Sequence, residues 1–424
     1  MIIAIIFLLG YTAIAFEHSI KINKAATSLI TGILCWVVYI FEAENKELVN
    51  EQLVHHLGEL SGILFFLMGA MTIVELIDAH DGFEILTQKI STTHKRKLLW
   101  LSALIAFFLS AVLDNLTTTI VMIAVLRKLI HDQTNRLFFI GIIIIAANAG
   151  GVWSPIGDIT TTMLWMGGQI SALGIMMQLF LPAIICLILP LCYISFKLKG
   201  EFIPNLKNEK QVNSVLPRYQ QLIVLFSGIV ILLLVPIFKT VTHLPPYMGI
   251  LLGLGLLWVI TEIIHGTKDE EDKHSLSVVF ALRKIDSPSI LFFLGILLSI
   301  AALQVSGILI NASNFLSNHI SDIRIIAYLT GLFSSIVDNV PLVAASQGMY
   351  DMTAYPQDHF FWEALAFCAG TGGSILIIGS AAGVAAMGTE KISFGWYVRK
   401  ISFWAFIGYT GGYLFYMLQS LVFS

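Results

Sequence analysis

The sequence predicts an all-α membrane protein that crosses the bilayer many times and consists of two inverted repeats. Two observations lead to this fold class, the composition and a set of motifs that recurs between the halves. Of the 424 residues, 57% are hydrophobic and only 12% are charged, and the mean hydropathy is +0.85. Soluble domains carry about 25% charged residues. A chain of this size cannot bury so much apolar surface in water, so we expect the bilayer to be its solvent.

Charge and cysteine content exclude other classes of protein. The formal net charge is −3 and no Lys/Arg-rich face is present, which excludes a nucleic-acid partner. The cysteines lie inside apolar runs without metal-ligand spacing and are expected to be membrane-embedded hydrophobes. They are Cys35, Cys186, Cys192 and Cys368.

Ten apolar stretches are predicted to cross the bilayer, which takes about 17–25 helical residues. They are 2–16, 25–41, 59–78, 137–168, 173–196, 220–238, 246–264, 288–306, 360–388 and 401–422. The first is short and resembles a signal peptide, but it has no basic n-region and is kept as a crossing. Two further apolar regions, 98–131 and 325–353, are interrupted by polar residues and are predicted to be re-entrant hairpins.

Basic residues assign the two sides of the membrane. Lysine and arginine are concentrated in 17–24, 89–97, 127–136, 197–218, 266–286 and at 399–400, whereas loop 42–51 is mainly acidic. The positive-inside rule places the basic loops in the cytoplasm. With ten crossings, both termini then lie outside. Hairpin 98–131 would enter from the cytoplasm and hairpin 325–353 from outside.

An internal repeat supports this arrangement. The matching segments are 110–115 (SAVLDN) with 334–339 (SSIVDN), 63–67 (ILFFL) with 290–294 (ILFFL), 148–151 (NAGG) with 370–373 (GTGG), and 156–158 (IGD) with 378–380 (IGS). Each half then has five crossings and one hairpin, and because five is odd the second half must be inverted. Inverted repeats with interrupted helices are typical of secondary transporters. The predicted units are 1–196, a cytoplasmic linker 197–219, and 220–424.

Asp114 and Asp338 are the sharpest candidates for function. A carboxylate at mid-membrane costs at least about 2.5–3.5 kcal/mol, and here the costly residue occurs at equivalent positions of both halves. The alternative is a structural role, since Asp is a good helix N-cap. Oxygen ligands of this kind suit a hard monovalent cation. The neighbouring candidate ligands are Asn115, Asn339, Ser110, Ser334, Thr117, Thr118 and Thr119.

Two glycine-rich breaks supply further candidates. In 148–161, the glycines and Pro155 interrupt a helix, which frees backbone carbonyls at membrane depth. Asp158 adds a third carboxylate there, whereas the counterpart 370–380 has no acid. The alternative is that the glycines serve close helix packing. The candidate ion ligands at the breaks are Asp158, Asn148, Thr160, Thr161, Thr371 and Ser374.

Glu75, Asp78 and His80 end the third predicted helix at its cytoplasmic side. Solvation at the membrane interface explains them adequately. A pH-sensing role is the second hypothesis.

These motifs resemble the NhaD-type sodium/proton antiporters of the ion transporter superfamily over nearly the whole chain. The segments that carry the resemblance are 17–24, 69–80, 113–115, 148–158 and 370–383. The resemblance implies exchange of Na⁺ or Li⁺ for H⁺ in a bacterial cytoplasmic membrane or plastid envelope, and hence a role in pH homeostasis and salt tolerance. It also implies a homodimer, no cofactor, and an ion site formed by hairpin tips and broken helices. Ser380 stands where the first half has Asp158, so the halves are not equivalent.

Two other functions compete with this interpretation. An anion carrier for a dicarboxylate, citrate or arsenite would share the scaffold, but its substrate requires basic groups or bare helix N-termini. Stretches 98–126, 137–168 and 325–388 contain no lysine or arginine and one other basic residue, His359, and none is expected near either Asp. A membrane enzyme is disfavoured because the sequence contains neither HExxH nor GxSxG.

Overall fold

The computed structural model describes the chain except for residues 1, 16, 88–91, 93, 199, 202–215, 267–273, 321 and 424. Much of the predicted linker 197–219 therefore lies outside the described residues. So do some of the lysines used to assign the sides of the membrane: Lys89, Lys199, Lys207, Lys210, Lys268 and Lys273.

The described residues are almost entirely helical, which confirms the all-α class. The helices are α1 (Ile2–Ala15), α2 (Glu17–Ile20), α3 (Lys24–Glu42), α4 (Lys46–Ala79), α5 (Gly82–Thr87), α6 (Lys95–Ser110), α7 (Asn115–Leu129), α8 (Gln133–Gly151), α9 (Ile159–Met166), α10 (Ala172–Lys197), α11 (Arg218–Thr242), α12 (Pro246–His265), α13 (Val278–Lys284), α14 (Ser287–Val305), α15 (Ile308–His319), α16 (Ile323–Ser334), α17 (Asn339–Met349), α18 (Phe360–Gly372), α19 (Ala381–Glu390), α20 (Phe394–Tyr397) and α21 (Phe403–Phe423). A π-helical turn, Val398–Ser402, connects α20 to α21. Within the described ranges the only β-type pairing is an isolated bridge between His94 and Glu201.

Seven helices of the described part are long and apolar enough to cross a membrane, namely α3, α4, α8, α10, α11, α12 and α14. The chain is therefore a multi-pass integral membrane protein. The other three predicted crossings differ for physical reasons. Segment 2–16 forms a helix of 14 residues, and 360–388 is divided between α18 and α19. Segment 401–422 corresponds to α21, whose tyrosines, glycines and glutamine lower its hydropathy.

Helix α4 is longer than the sequence predicted. Loop 42–51 was expected to run to residue 51, but the helix begins at Lys46 because the Asn45 side chain accepts hydrogen bonds from the backbone N–H groups of Glu47 and Leu48. Its 34 residues span about 51 Å at 1.5 Å per residue. A bilayer core is about 30 Å thick, so the first turns of α4 extend beyond it.

The core consists of two hairpins packed against two broken helices. The first hairpin (α6 and α7) packs on the first broken helix (α8 and α9), and the second hairpin (α16 and α17) packs on the second broken helix (α18 and α19). Glycines allow this approach. A Cβ on Gly150 would lie 2.1 Å from the Phe107 carbonyl oxygen, and a Cβ on Gly372 would lie 2.0 Å from the Gly331 carbonyl oxygen. The backbones therefore touch in both halves, as close helix packing by small residues allows.

Candidate ion site

Each hairpin turn places an aspartate at the N-terminus of its second helix. Asp114 caps α7, with Oδ1 accepting from the Thr117 backbone N–H at 2.7 Å and Oδ2 from the Thr117 hydroxyl at 2.9 Å. Asp338 caps α17, with Oδ1 accepting from the Val340 N–H at 3.3 Å. A carboxylate is favourable at this end of a helix. The capping role considered for both residues is therefore real, and each carboxylate keeps further lone pairs for a ligand.

Asp114 also has an unusual backbone. Its φ angle is +121°, a region that is uncommon for residues other than glycine. Strain of this kind persists only where the surrounding structure holds it, and it is concentrated at functional sites. The turn thus holds this carboxylate in place at an energetic cost.

Asp158 is the point at which the two hairpins meet. It lies at the end of the first break, is 1% exposed, and its Oδ1 accepts from the Thr160 N–H at 2.8 Å and from the Thr160 hydroxyl at 2.6 Å. Its Oδ2 accepts from Asn115 Nδ2 at 2.8 Å, and Asn339 Nδ2 lies 3.4 Å from Oδ1. The Asp158 carboxylate therefore accepts a side-chain amide hydrogen bond from each half of the chain.

Asn148 connects the two broken helices. Its Oδ1 accepts from Asn115 Nδ2 at 3.0 Å, while its Nδ2 donates to Ser374 Oγ at 2.8 Å and to Ser380 Oγ at 2.9 Å. All four side chains are buried. Because a fully connected buried network rigidifies its surroundings, Asn148 holds the second break against the first.

All three carboxylates line one cavity between the hairpin tips and helices α4 and α14. Its polar lining includes Asp114, Asn115, Asp158, Asp338 and Asn339. Among the described residues no group of three or more His, Cys, Asp or Glu side chains is placed to hold a metal ion. Carboxylates alone therefore do not form a cage, and a bound cation would take amide, hydroxyl or backbone oxygens as well.

Two of the predicted serines contact the backbone instead of a carboxylate. Ser110 Oγ donates to the Ala147 carbonyl at 2.6 Å, and Ser334 Oγ donates to the Ala369 carbonyl at 2.6 Å. Each hydroxyl fastens the end of a hairpin helix to the broken helix beneath it. The serines thus support the site from its framework.

The predicted threonines divide in the same way. Thr117 and Thr160 donate to site carboxylates. Thr161 donates to the Asp158 carbonyl at 2.8 Å and Thr371 to the Phe367 carbonyl at 2.5 Å. The Thr118 hydroxyl is buried and has no hydrogen-bond partner in the described part of the chain.

Lys24 is a member of the site that the sequence reasoning missed. The expectation that no basic side chain lies near either Asp is wrong for Asp338, because Lys24 Nζ lies 3.5 Å from its Oδ2. The two residues are 314 positions apart, so no local sequence window could reveal the pair. The only indication in the sequence is that Lys24 is the last residue of 17–24, one of the segments that resemble the NhaD-type antiporters.

The predicted pH-sensing residues occupy three environments. Glu75 pairs with Lys284 at 3.2 Å and Asp78 is exposed. His80 is fully buried, so the expectation of interface solvation is wrong for it. Its Nε2 lies 2.8 Å from Nε2 of His265, a partner that the sequence reasoning did not identify.

The membrane-crossing helices, the two helix breaks and the cavity lined by carboxylates and amides define the class as a polytopic ion-coupled transporter. A family model described as a citrate transporter matches residues 11–372. The chain is 49% identical over 417 residues to sodium/proton antiporter 1 of Arabidopsis thaliana, covering 98% of this chain and 71% of the relative. It is 47% identical over 421 residues to sodium/proton antiporter 2 of the same plant, covering 98% of both.

A bacterial relative extends the comparison. The chain is 30% identical over 416 residues to the Na⁺/H⁺ antiporter NhaD of Vibrio cholerae, covering 91% of this chain and 84% of the relative. The chain therefore belongs to the citrate transporter family and, within it, to the NhaD-type sodium/proton antiporters.

Proposed function

We infer that the protein exchanges Na⁺ for H⁺ across a membrane, as its named relatives do. This function rests on the position of Asp158. Its buried carboxylate accepts a hydrogen bond from an asparagine amide of each hairpin, and it lines the same cavity as two further aspartates. Such an oxygen-rich, acidic cavity attracts a cation. The anion-carrier alternative is weaker, because Lys24, the one lysine or arginine of the described residues that lines the cavity, is paired with Asp338.

The proposed mechanism is competition between two cations for the same carboxylates. Burial disfavours an ionised carboxylate, whereas a bound cation favours it. Asp114, Asp158 and Asp338 would then each be neutralised by a proton or another cation during the crossing, because an empty anion is costly in the membrane. This is sufficient for antiport by alternating access without a separate proton path. We propose that the exchange requires no cofactor besides the transported ions.

We propose that Asp114, Asn115, Asp158, Asn148, Asp338 and Asn339 form the Na⁺ and Li⁺ site. The hydroxyls of Thr117 and Thr160 donate hydrogen bonds to the carboxylates of Asp114 and Asp158, respectively. Na⁺ and Li⁺ are favoured over K⁺ because a cage built from few, short side chains is too small for the larger ion.

The experiment uses purified protein in proteoliposomes that contain a pH-sensitive dye. Addition of NaCl or LiCl to one side should drive proton flux, and KCl should produce a weak response. The apparent KM for Na⁺ should rise as pH falls, while the maximal rate changes little. A K⁺ response equal to the Na⁺ response, or a citrate-driven flux with none for Na⁺, would contradict the proposal.

We also propose two inverted repeats, 1–196 and 220–424, joined by the cytoplasmic linker 197–219. Hairpins 98–131 and 325–353 would re-enter the membrane from opposite sides, beside broken helices 137–168 and 360–388. The matched backbone contacts of Gly150 and Gly372 and of Ser110 and Ser334 support this arrangement. The proposal includes a homodimer in a bacterial cytoplasmic membrane with both termini outside.

Cysteine labelling tests the inversion. Gln133 and Gln357 are both exposed, and each lies where one hairpin leads into its broken helix. Single cysteines at these positions, in a background without the four native cysteines, should react with an impermeant reagent from opposite faces. Labelling of both from the same face would refute the inverted repeat.

A further inference from the structure

Lys24 is placed where a cation is unfavourable unless a carboxylate balances it. It is the first residue of α3 and follows the N-cap Asn23, at the end of the helix where the macrodipole repels positive charge. Its side chain is 26% exposed, so water solvates the ammonium only in part. Asp338, 22% exposed, lies 3.5 Å away, and the Phe292 ring is 4.4 Å below the Nζ atom. The ammonium is therefore held at Asp338 by charge and by a cation–π contact.

The pair lies between two cavities. Lys24 and Asp338 line the cavity that contains Asp114 and Asp158. The same two residues also line a second cavity, together with Tyr11, Glu17 and Ser380. An ion that passes between the two cavities would pass Lys24 and Asp338, because both residues line each cavity.

We propose that Lys24 is a tethered counter-cation that occupies Asp338 when the site holds no Na⁺, and that Na⁺ must displace it to bind. An ammonium and Na⁺ are both monovalent cations, and each neutralises the same carboxylate. The displaced ammonium stays beside the second cavity, where the Glu17 carboxylate, which already accepts from the Lys24 backbone N–H at 3.1 Å, receives it. No bond is made or broken in this step, because one cation replaces another at Asp338.

This inference rests on the proposed exchange of Na⁺, and it predicts how the affinity for Na⁺ changes when Lys24 is replaced. Removal of an internal competitor should strengthen Na⁺ binding, whereas removal of a merely structural ion pair should weaken the fold and leave affinity unchanged. The two roles thus predict different results for the same substitution.

The experiment compares Lys24→Gln and Lys24→Met with the wild-type protein in proteoliposomes at one fixed pH. Both neutral variants should lower the apparent KM for Na⁺ about fivefold, which corresponds to ~1 kcal/mol. Lys24→Arg, which keeps a tethered cation, should remain within about twofold of the wild type. Lys21→Gln is the matched control, because it removes a charge from an exposed position of the same connecting segment, and it should leave the KM unchanged.

A second readout is independent of transport. The Na⁺ concentration that gives half-maximal thermal stabilisation in detergent should fall in the two neutral variants by the same factor as the KM. An unchanged or higher Na⁺ requirement in both would overturn the proposal, as would loss of the folded protein in both, since that result makes Lys24 a structural tie. A wild-type protein without Na⁺-driven proton flux would instead contradict the proposed exchange itself.

Discussion

The two hairpins rest on their broken helices through the same contacts. Ser110 and Ser334 each donate to a helix carbonyl at 2.6 Å, and Gly150 and Gly372 each lie against a hairpin carbonyl at a distance that excludes a Cβ. The two halves differ in the residue that ends each helix break. The first break ends in Asp158, whereas the second ends in Ser380, and each residue caps the short helix that follows.

Under the proposed function, this difference would let two similar halves form one ion site. Ser380 keeps the capping hydrogen bond and accepts from Asn148, so the second break supports the network without adding charge. Lys24, which belongs to the first half of the chain, further balances Asp338 of the second half. The two halves therefore share the framework contacts, whereas two of the three carboxylates of the proposed ion site, Asp114 and Asp158, belong to the first half.

The largest expected effect comes from Asp158→Asn. The amide occupies nearly the same volume, but it cannot release a proton or balance a cation, so exchange should be abolished. The matched substitution in the other half, Ser380→Ala, should slow exchange but leave Na⁺ coupled to protons. Initial rates in proteoliposomes measure both. Full exchange by Asp158→Asn would break the proposed asymmetry.

Asp114→Asn and Asp338→Asn should each cripple exchange while the hairpin stays folded. Asparagine is as good an N-cap as aspartate, so the caps of α7 and α17 are preserved. Asp114→Asn loses only the titratable charge, whereas Asp338→Asn also leaves the Lys24 ammonium without its carboxylate partner. Rates are compared at equal amounts of folded protein, measured by gel filtration. If both variants kept full exchange with a Na⁺ KM independent of pH, the competition mechanism would be wrong.

Gly150→Ala and Gly372→Ala should destabilise the protein by similar amounts, about 1–3 kcal/mol each, because the new methyl group meets backbone that cannot move aside. Thermal unfolding in detergent measures the loss. Gly388→Ala is the control, since a Cβ there meets nothing within 4 Å and alanine is the better helix former. A large loss in only one half would mean that the frameworks are not equivalent.

The smallest effect is expected for Ser110→Ala and Ser334→Ala. Each loses one buried hydrogen bond, worth about 1 kcal/mol, and the exchange reaction should persist because neither hydroxyl contacts a carboxylate. Measurements of thermal stability and of the KM for Na⁺ separate the two roles. A large increase in the KM would make these serines direct ligands, as the sequence alone suggested.

The sequence predicted those features that depend on local composition. Apolar runs produced the helices, and glycines with Pro155 produced the first break, because a helix cannot continue through them. Hydrophobicity does not fix the ends of helices. The cap at Asn45 starts α4 before the expected loop ends, since capping depends on a single side chain and not on the average over a window.

Pairs that are far apart in the sequence could not be predicted. Lys24 meets Asp338, and His80 meets His265, only after the helices have packed. Glu390 is likewise buried between Arg127 and Arg136 of the other half. Each of these residues looked solvated or unremarkable in its own segment, because tertiary packing alone determines its partner.

Counting the bound Na⁺ ions tests the central claim most directly. Equilibrium binding of radioactive sodium to the purified protein should saturate at one ion per chain. The reason is that a single carboxylate, Asp158, accepts hydrogen bonds from the asparagine amides of both hairpins. The same measurement on Asp158→Asn should show no saturable binding, and Ser380→Ala should retain it. Two ions per wild-type chain, or unchanged binding by Asp158→Asn, would contradict a single asymmetric site.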